Sequence, residues 1–526
     1  MITGLNIADT FTTDLPADKR EENYRRQVWE ACFSYVQPKQ PSNPSLIAVS
    51  EEVAGILGIE ITKENKEHWT NILTGADSVE NFRAYAQCYG GHQFGHWAGQ
   101  LGDGRAINIA EVQRNGKQWV MQLKGAGPTP YSRSADGLAV LRSSIREYLC
   151  SEAMFHLGVP TTRALSLSLS GDTVIRDMLY DGNPAPEKGA IVCRVAESFL
   201  RFGNYQIFLA RKDHENLKKL VDYTLKYHFP QFGEGSKESY LALLQEVSNR
   251  TLDMIIHWQR VGFVHGVMNT DNMSILGQTI DYGPYGWLEG YDHGWTPNTT
   301  DSQHRRYRYG QQASIGLWNL AQLASAFHPL IDDIKAVESI LESYRTRFKD
   351  KYLEMMMAKL GLQQKEESDG LLIQQLQEVL HRTETDMTIF YQELSKITKE
   401  TDIKEEDHCL AILNKAFYKP EEVKGIVKNA WIAWISQYIH RLQKESASNE
   451  SRLKLMQKTN PRYVLRNYMA QLAIDAADKG DYSIIKELET MLKMPYTIQE
   501  EYEKWYAKRP EWARHKAGCS MLSCSS

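Results

Sequence analysis

The apolar positions of the chain change period twice before settling into a helical pattern. Residues 106–112 and 118–123 are short apolar-rich runs that predict two strands, and Asn115-Gly116 between them is a tight-hairpin signal. The period then lengthens. Leu138, Leu141, Ile145, Leu149 and Ala153 recur at helical spacing, which predicts a helix over 137–157 stopped by Gly158-Val159-Pro160. Strand-like runs return at 165–169, 174–178 and 190–195, and long helical patterns cover 217–228 and 240–261. A glycine-containing loop, 263–272, leads to an expected short strand over 273–280 and then to Asp281-Tyr282-Gly283. From about residue 331 onward the chain is rich in Glu, Lys, Leu and Met, has few glycines, and reads as helices.

Three zones follow. Residues 1–79 form an N-terminal extension with a Pro/Ser-rich, extended passage at 38–44. Residues 80–330 hold most of the glycines and form a core with a small β-rich lobe before a helical lobe. Residues 331–526 form a helical C-terminal region. This is the order of a protein-kinase-like fold, so the expected class is α+β, bilobal, with a helical C-terminal extension. Composition leaves that picture intact, since 42% hydrophobic and 24% charged residues describe an ordinary globular protein. A net charge of −5 argues against wholesale nucleic-acid binding. The one local basic cluster, His304-Arg305-Arg306-Tyr307-Arg308, reads as a solvated loop.

No stretch approaches the ~18–20 apolar residues of a membrane span. The first residues lack a basic segment followed by an apolar run, and Asp9 and Asp14 oppose a transit peptide. The expectation is a cytoplasmic protein with no membrane partner. Seven cysteines carry no CxxC or zinc-type spacing and are expected to be reduced and apolar in character. Cys519 and Cys524, near the chain end, are expected either to be mobile, reactive thiols or to belong to a tail without a role.

Phosphoryl and nucleotidyl transfer need phosphate clamps, metal ligands and positioning more than covalent help. Each part can be nominated. Gly99-Gln100-Leu101-Gly102-Asp103-Gly104-Arg105 is either a glycine loop that admits phosphate or a hairpin turn. Lys124 ends the second strand, and Glu147 lies 23 residues on, near the inner side of the next helix. Arg194 and Arg201 suit bidentate phosphate binding or surface ion pairing. The most specific feature is His265-Gly266-Val267-Met268-Asn269-Thr270-Asp271-Asn272. Kinases carry His-x-Asp here with an Asn five residues after the Asp. His265, Gly266 and Asn272 are in register, but Val267 stands at the aspartate position and cannot accept a proton. Asp281-Tyr282-Gly283 follows Asn272 by nine residues. Asn272 and Asp281 offer hard oxygen ligands for Mg²⁺, while Asp271 is the nearest replacement carboxylate or a loop cap.

Together with Tyr89-Gly90-Gly91-His92-Gln93-Phe94-Gly95, residues 122–133, residues 460–467 and the terminal Cys524-Ser525-Ser526, these motifs resemble the selenoprotein O family (SelO, also YdiU) nearly end to end. The resemblance implies a pseudokinase that binds ATP flipped relative to kinases and transfers AMP to Ser, Thr or Tyr hydroxyls of proteins, redox-related proteins among the targets. It implies that Lys124 contacts phosphate and pairs with Glu147, and that Gly102, Gly104, Arg105, Asp136 and Gly137 line the nucleotide site. It further implies that Arg194 and Arg201 bind phosphates, that Asp271 accepts the proton, and that Asn272 and Asp281 hold Mg²⁺ or Mn²⁺. UMP transfer is ascribed to some members. Eukaryotic members place selenocysteine near the C-terminus where this chain has Cys524, as bacterial members do. Two other readings compete: a kinase that uses Asp271 as base, and a non-catalytic ATP-binding scaffold.

Overall fold

Asn115 and Gly116 both take positive φ, 51° and 74°, which turns the chain tightly between the two strands that the sequence predicts. The computed structural model describes residues 4–178, 180–519 and 521–523. Ten strands carry the argument: β1 (Phe33–Tyr35), β2 (Ser45–Val49), β3 (Tyr85–Gln87), β4 (Gly90–Gln93), β5 (His96–Gln100), β6 (Ala106–Arg114), β7 (Lys117–Lys124), β8 (Ala139–Val140), β9 (Arg163–Arg176) and β10 (Ala185–Ala196). Eight of them form one antiparallel sheet in the order β1-β3-β6-β7-β10-β9-β2, with β8 against β10, and β4–β5 is a separate hairpin. Mixed helix and antiparallel sheet is the α+β class expected. Both ends of the sheet path, β1 and β2, come from the first 79 residues.

Side chains alternate across a strand, so the sheet separates two cores. Ile107, Met121, Leu123, Ile191, Cys193 and Val195 pack with the helices Glu51–Leu57 and Lys66–Thr74 on one face. The opposite face receives the helix Leu141–His156, which is buried along most of its length. This helix starts four residues later than the spacing predicts, because Ala139 and Val140 pair with β10 first. The two runs expected at 165–169 and 174–178 are one continuous strand of 14 residues, β9, which ends at Arg176 and pairs with the 12-residue β10.

The strand expected over 273–280 does not form. Ser274 and Gly277 close a turn, and the segment makes only single bridges, Met273 to Thr279, Ser274 to Arg201 and Thr279 to Thr161. A chain that doubles back within seven residues has no length left for a ladder. The C-terminal region is helical as expected, from Ile334–Leu360 to Ser483–Leu492. Its last two helices, Asn467–Ala477 and Ser483–Leu492, brace the Leu141–His156 helix from behind, and Tyr148 donates to Glu489 across that contact at 3.1 Å. Among the described residues, no helix is long and apolar enough to cross a membrane.

Candidate active site

Register puts the polar side chains in a row. Asn108, Gln122 and Arg194 are direct partners across β6, β7 and β10. Gln122 donates to Asn108 Oδ1 at 3.1 Å and accepts from Arg194 Nη2. Lys124, two residues along β7, therefore shares their face. From the helix above, Glu147 Oε2 meets Lys124 Nζ at 2.5 Å while its Oε1 takes Arg194 Nη1 at 2.9 Å. Burial pulls the Lys124 ammonium below its ordinary range, and the Glu147 and Asp281 carboxylates pull it back only in part.

Asp281 stands opposite. Its carboxylate takes Arg194 Nη1 at 2.5 Å, Arg201 Nη1, and Lys124 Nζ at 3.6 Å. Burial works against its charge, but Arg201, Arg194 and Lys124 outweigh burial and hold the acid well below its usual range. Asp281 also sits at φ 58°, a left-handed conformation that is costly for a residue with a Cβ. Arg201 additionally donates to the Asp271 carbonyl at 2.8 Å and stacks 4.6 Å from the Tyr89 ring.

The loop before Asp281 is held from several sides. The buried His265 reaches the Ile280 carbonyl at 2.9 Å, and Asn272 Nδ2 donates to the Val267 carbonyl at 2.9 Å. The β4–β5 hairpin lies against this loop: His92 N donates to Thr270 Oγ1 at 2.7 Å, and Gln93 Nε2 donates to Asp271 Oδ2 at 3.2 Å. Asp271 Oδ1 is buried without a partner. Burial raises the Asp271 carboxyl to about 6, with Gln93 and Arg201 opposing.

Together these elements border one cavity of about 700 Å³. Gly102, Gly104, Arg105, Lys124, Asp136, Gly137, Arg194, Arg201, Asp271, Asn272 and Asp281 line it, as does Val267. Glu147 alone of the nominated residues stands behind the wall, acting through Lys124 and Arg194. The segment 101–105 is a link from β5 to β6 rather than a hairpin turn. Gly102 is needed there for a close approach: at φ 75°, a Cβ would fall 2.4 Å from the Tyr131 ring. Asp136 is paired with Arg176 through two bonds of 2.8 Å at the rim.

A sequence profile of the family described as protein adenylyltransferase SelO matches residues 20–493. The chain belongs to the SelO family. Proteins named protein nucleotidyltransferase YdiU are similar over their whole length. The relative from Flavobacterium johnsoniae is 58% identical over 99% of both chains, and that from Rhodopirellula baltica is 51% identical over 100% of both. The relative from Aromatoleum aromaticum is 48% identical over 99% of both chains. SelO members are nucleotidyltransferases, and that class frames the remaining features of the cavity.

The donor set suits a hard divalent cation. Asp281 is an ionised carboxylate, and Asn272 brings an amide oxygen to the same cavity. Arg194 Nε and Asp271 Oδ1 are buried polar atoms without protein partners, as expected where a polar ligand completes the site. No cluster of three or more His, Cys, Asp or Glu ligands exists among the described residues, so a cation held by these two protein oxygens would need further ligands from phosphate and water. Sequence reasoning missed Gln122, Asp103, Gln93 and Arg176. Gln122 was legible, because it lies two positions from Lys124 on one strand face. Asp103 is buried, accepts from the Gln87 amide at 3.0 Å and lies 3.9 Å from Arg201.

The tail is corrected in part. Cys519 is buried, burial raises its thiol to about 11, and its carbonyl accepts from Asn467 Nδ2 at 2.5 Å. It is not a mobile, reactive thiol. Cys524 lies outside the described residues. The other described cysteines are buried and free, as expected.

Proposed function

We propose that the chain is a protein adenylyltransferase on a kinase-like frame, transferring AMP from ATP to Ser, Thr or Tyr hydroxyls of other proteins. One observation carries this reading: Lys124, Arg194, Arg201, Asn272 and Asp281 surround one cavity into which Asp271 brings a carboxylate with a partnerless oxygen, while the kinase base position holds Val267.

Lys124, oriented by Glu147, and the two arginines neutralise the triphosphate, and Arg105 adds charge at the loop. These cations now converge on Asp281, so phosphate oxygens can replace its carboxylate as their partner. Asn272 and Asp281 would hold Mg²⁺ or Mn²⁺, which supplies positive charge to the phosphate oxygens. Asp271 Oδ1, free of protein partners, accepts the acceptor's hydroxyl proton. The hydroxyl oxygen bonds to the α-phosphorus, the α–β anhydride bond breaks, and pyrophosphate leaves. Binding ATP flipped relative to kinases brings the α-phosphorus, rather than the γ, to the acceptor.

The test is ATP labelled at the α- or γ-phosphate, with Mg²⁺ or Mn²⁺, a cell extract as acceptor, and Asp281→Ala as control. Label from α-ATP alone, lost in the control, is the expected result, and labelled UTP in a parallel arm decides between AMP and UMP. Label from γ-ATP makes the chain a kinase with Asp271 as base. No label from either leaves a nucleotide-binding scaffold.

A further inference from the structure

The basic cluster at 304–308 does not behave as a loop merely solvated. Tyr307 anchors it to the active-site loop: its hydroxyl donates to Asn269 Oδ1 at 2.6 Å and accepts from Phe94 N, in the β4–β5 turn, at 2.9 Å. Asn269 is two residues from Asp271, and Gln93, beside Phe94, bonds the Asp271 carboxylate. The cluster and the reacting end of the cavity therefore share one rigid junction.

Among the described residues, the cationic side chains of this junction form no close ion pair, although Arg306 and His304 lie near enough to Asp301 to favour its charge. Asp301, at the start of this segment, is buried and spends both oxygens on backbone amides, accepting from Arg306 N at 2.9 Å and Tyr307 N at 2.7 Å. Among the described residues, none of His304, Arg305, Arg306 and Arg308 forms an ion pair with a carboxylate. Arg306 lies 4.7 Å over the Trp318 ring and against Gly95 in the β4–β5 turn. His304 and Arg305 are exposed, Arg308 is half-exposed, and His96 and Trp97 of the hairpin are exposed beside them. Arg305 is held at φ 47°, outside the region comfortable for a residue with a Cβ.

We propose that this ridge is the docking surface for an acidic segment of the acceptor protein, so that hydroxyls flanked by Asp or Glu are the preferred targets. The inference rests on the transfer reading of the cavity and adds the substrate class to it. Arg308 donates to the Arg305 carbonyl at 3.0 Å and to Gln311 Oε1 at 3.2 Å, but among the described residues neither it nor Arg305 pairs with a carboxylate. Arginines without an ion pair bind carboxylates by paired hydrogen bonds and steer an acidic chain toward the site. A chain with net charge −5 whose cationic ridge adjoins its active site is built for an acidic protein segment rather than for a nucleic acid.

The experiment uses the full chain, α-labelled ATP, and peptides with one acceptor hydroxyl flanked by Glu or by Lys. The double variant R305E/R308E changes one exposed and one half-exposed side chain, both outside the cavity wall. Expected are a KM about tenfold lower for the Glu-flanked peptide and loss of that preference in the variant, with kcat and the KM for ATP unchanged. Fluorescence anisotropy of the same peptides without nucleotide separates the two ideas. Salt-sensitive binding of the acidic peptide, lost in R305E/R308E, supports docking even if no peptide is labelled, in which case the transfer reading fails alone. Equal binding of the two peptides, unaltered binding by the variant, or displacement of the acidic peptide by a single-stranded oligonucleotide at lower concentration overturns the proposal.

Discussion

Two buried ionic groups in this molecule use the same residue types to opposite ends. Around Asp386, the carboxylate takes Arg466 through two bonds of 2.7 and 2.9 Å, accepts from Tyr418 at 3.2 Å, and caps a helix by accepting from Ile389 N at 3.0 Å. Both partners' side chains are sealed, at 3% and 0% exposure. Around Asp281, three cations share one carboxylate that is 20% exposed and borders a cavity. The first group is closed: every partner is fixed and nothing can be exchanged. The second is open, and its cations can trade the carboxylate for a phosphate. A buried ion pair contributes little net stability, yet removing one partner is expensive because the other stays buried and charged. Closure therefore marks a structural device, and an open side marks a binding one.

The sharpest way to break this comparison is Asp386→Ala. It strands Arg466 and removes a helix cap, so urea denaturation should report a loss of about 3–5 kcal/mol. A loss under about 1 kcal/mol would mean that the closed pair is not structural. Asp281→Ala should do the reverse, lowering transfer by roughly 100- to 1000-fold in an α-label assay, while unfolding free energy falls by less than in Asp386→Ala.

Glu289 sharpens the structural side. Burial raises its carboxyl from 4.5 to about 7, against the pull of Arg466 and Arg509. Folding thus favours the protonated form: the contribution is full below pH 4.5 and is lost as pH rises through about 7. Wild-type stability should decline across that window by on the order of 3 kcal/mol, and Glu289→Gln should flatten the profile in denaturation measured at several pH values. On the functional side, Gln93 positions Asp271 without lining up with the phosphate clamps. Gln93→Ala should lower kcat about tenfold and leave the KM for ATP unchanged, whereas a parallel rise in KM would place Gln93 in nucleotide binding instead. The smallest effect belongs to Cys519. Cys519→Ser should leave transfer unaltered, and mass spectrometry should find Cys519 modified by a thiol reagent only after unfolding.

Much of this architecture is legible in local pattern. The Asn115-Gly116 hairpin, the helix that carries Glu147 and the helical C-terminal region follow from spacing alone. So does the placing of Gln122 with Lys124, since strand periodicity is fixed at two. The failures have a common cause. The segment 273–280 has the composition of a strand, but Ser274 and Gly277 turn it back against Arg201 and the Thr161 region, which overrides propensity. Cys519 looks like a chain-end thiol until the Asn467–Ala477 helix covers it.

By itself, the sequence determined the α+β class, most of the residues that line the cavity and the family, because these reside in composition, periodicity and contiguous motifs. Tertiary structure decided everything that depends on distant segments meeting. The register of β10 on β7 sets Arg194 opposite Gln122, and the left-handed turn at Asp281 brings its carboxylate to three cations. The β4–β5 hairpin delivers Gln93 to a carboxylate 178 positions away. Burial and ion pairing are properties of the surroundings, and a residue's surroundings come mostly from the rest of the chain.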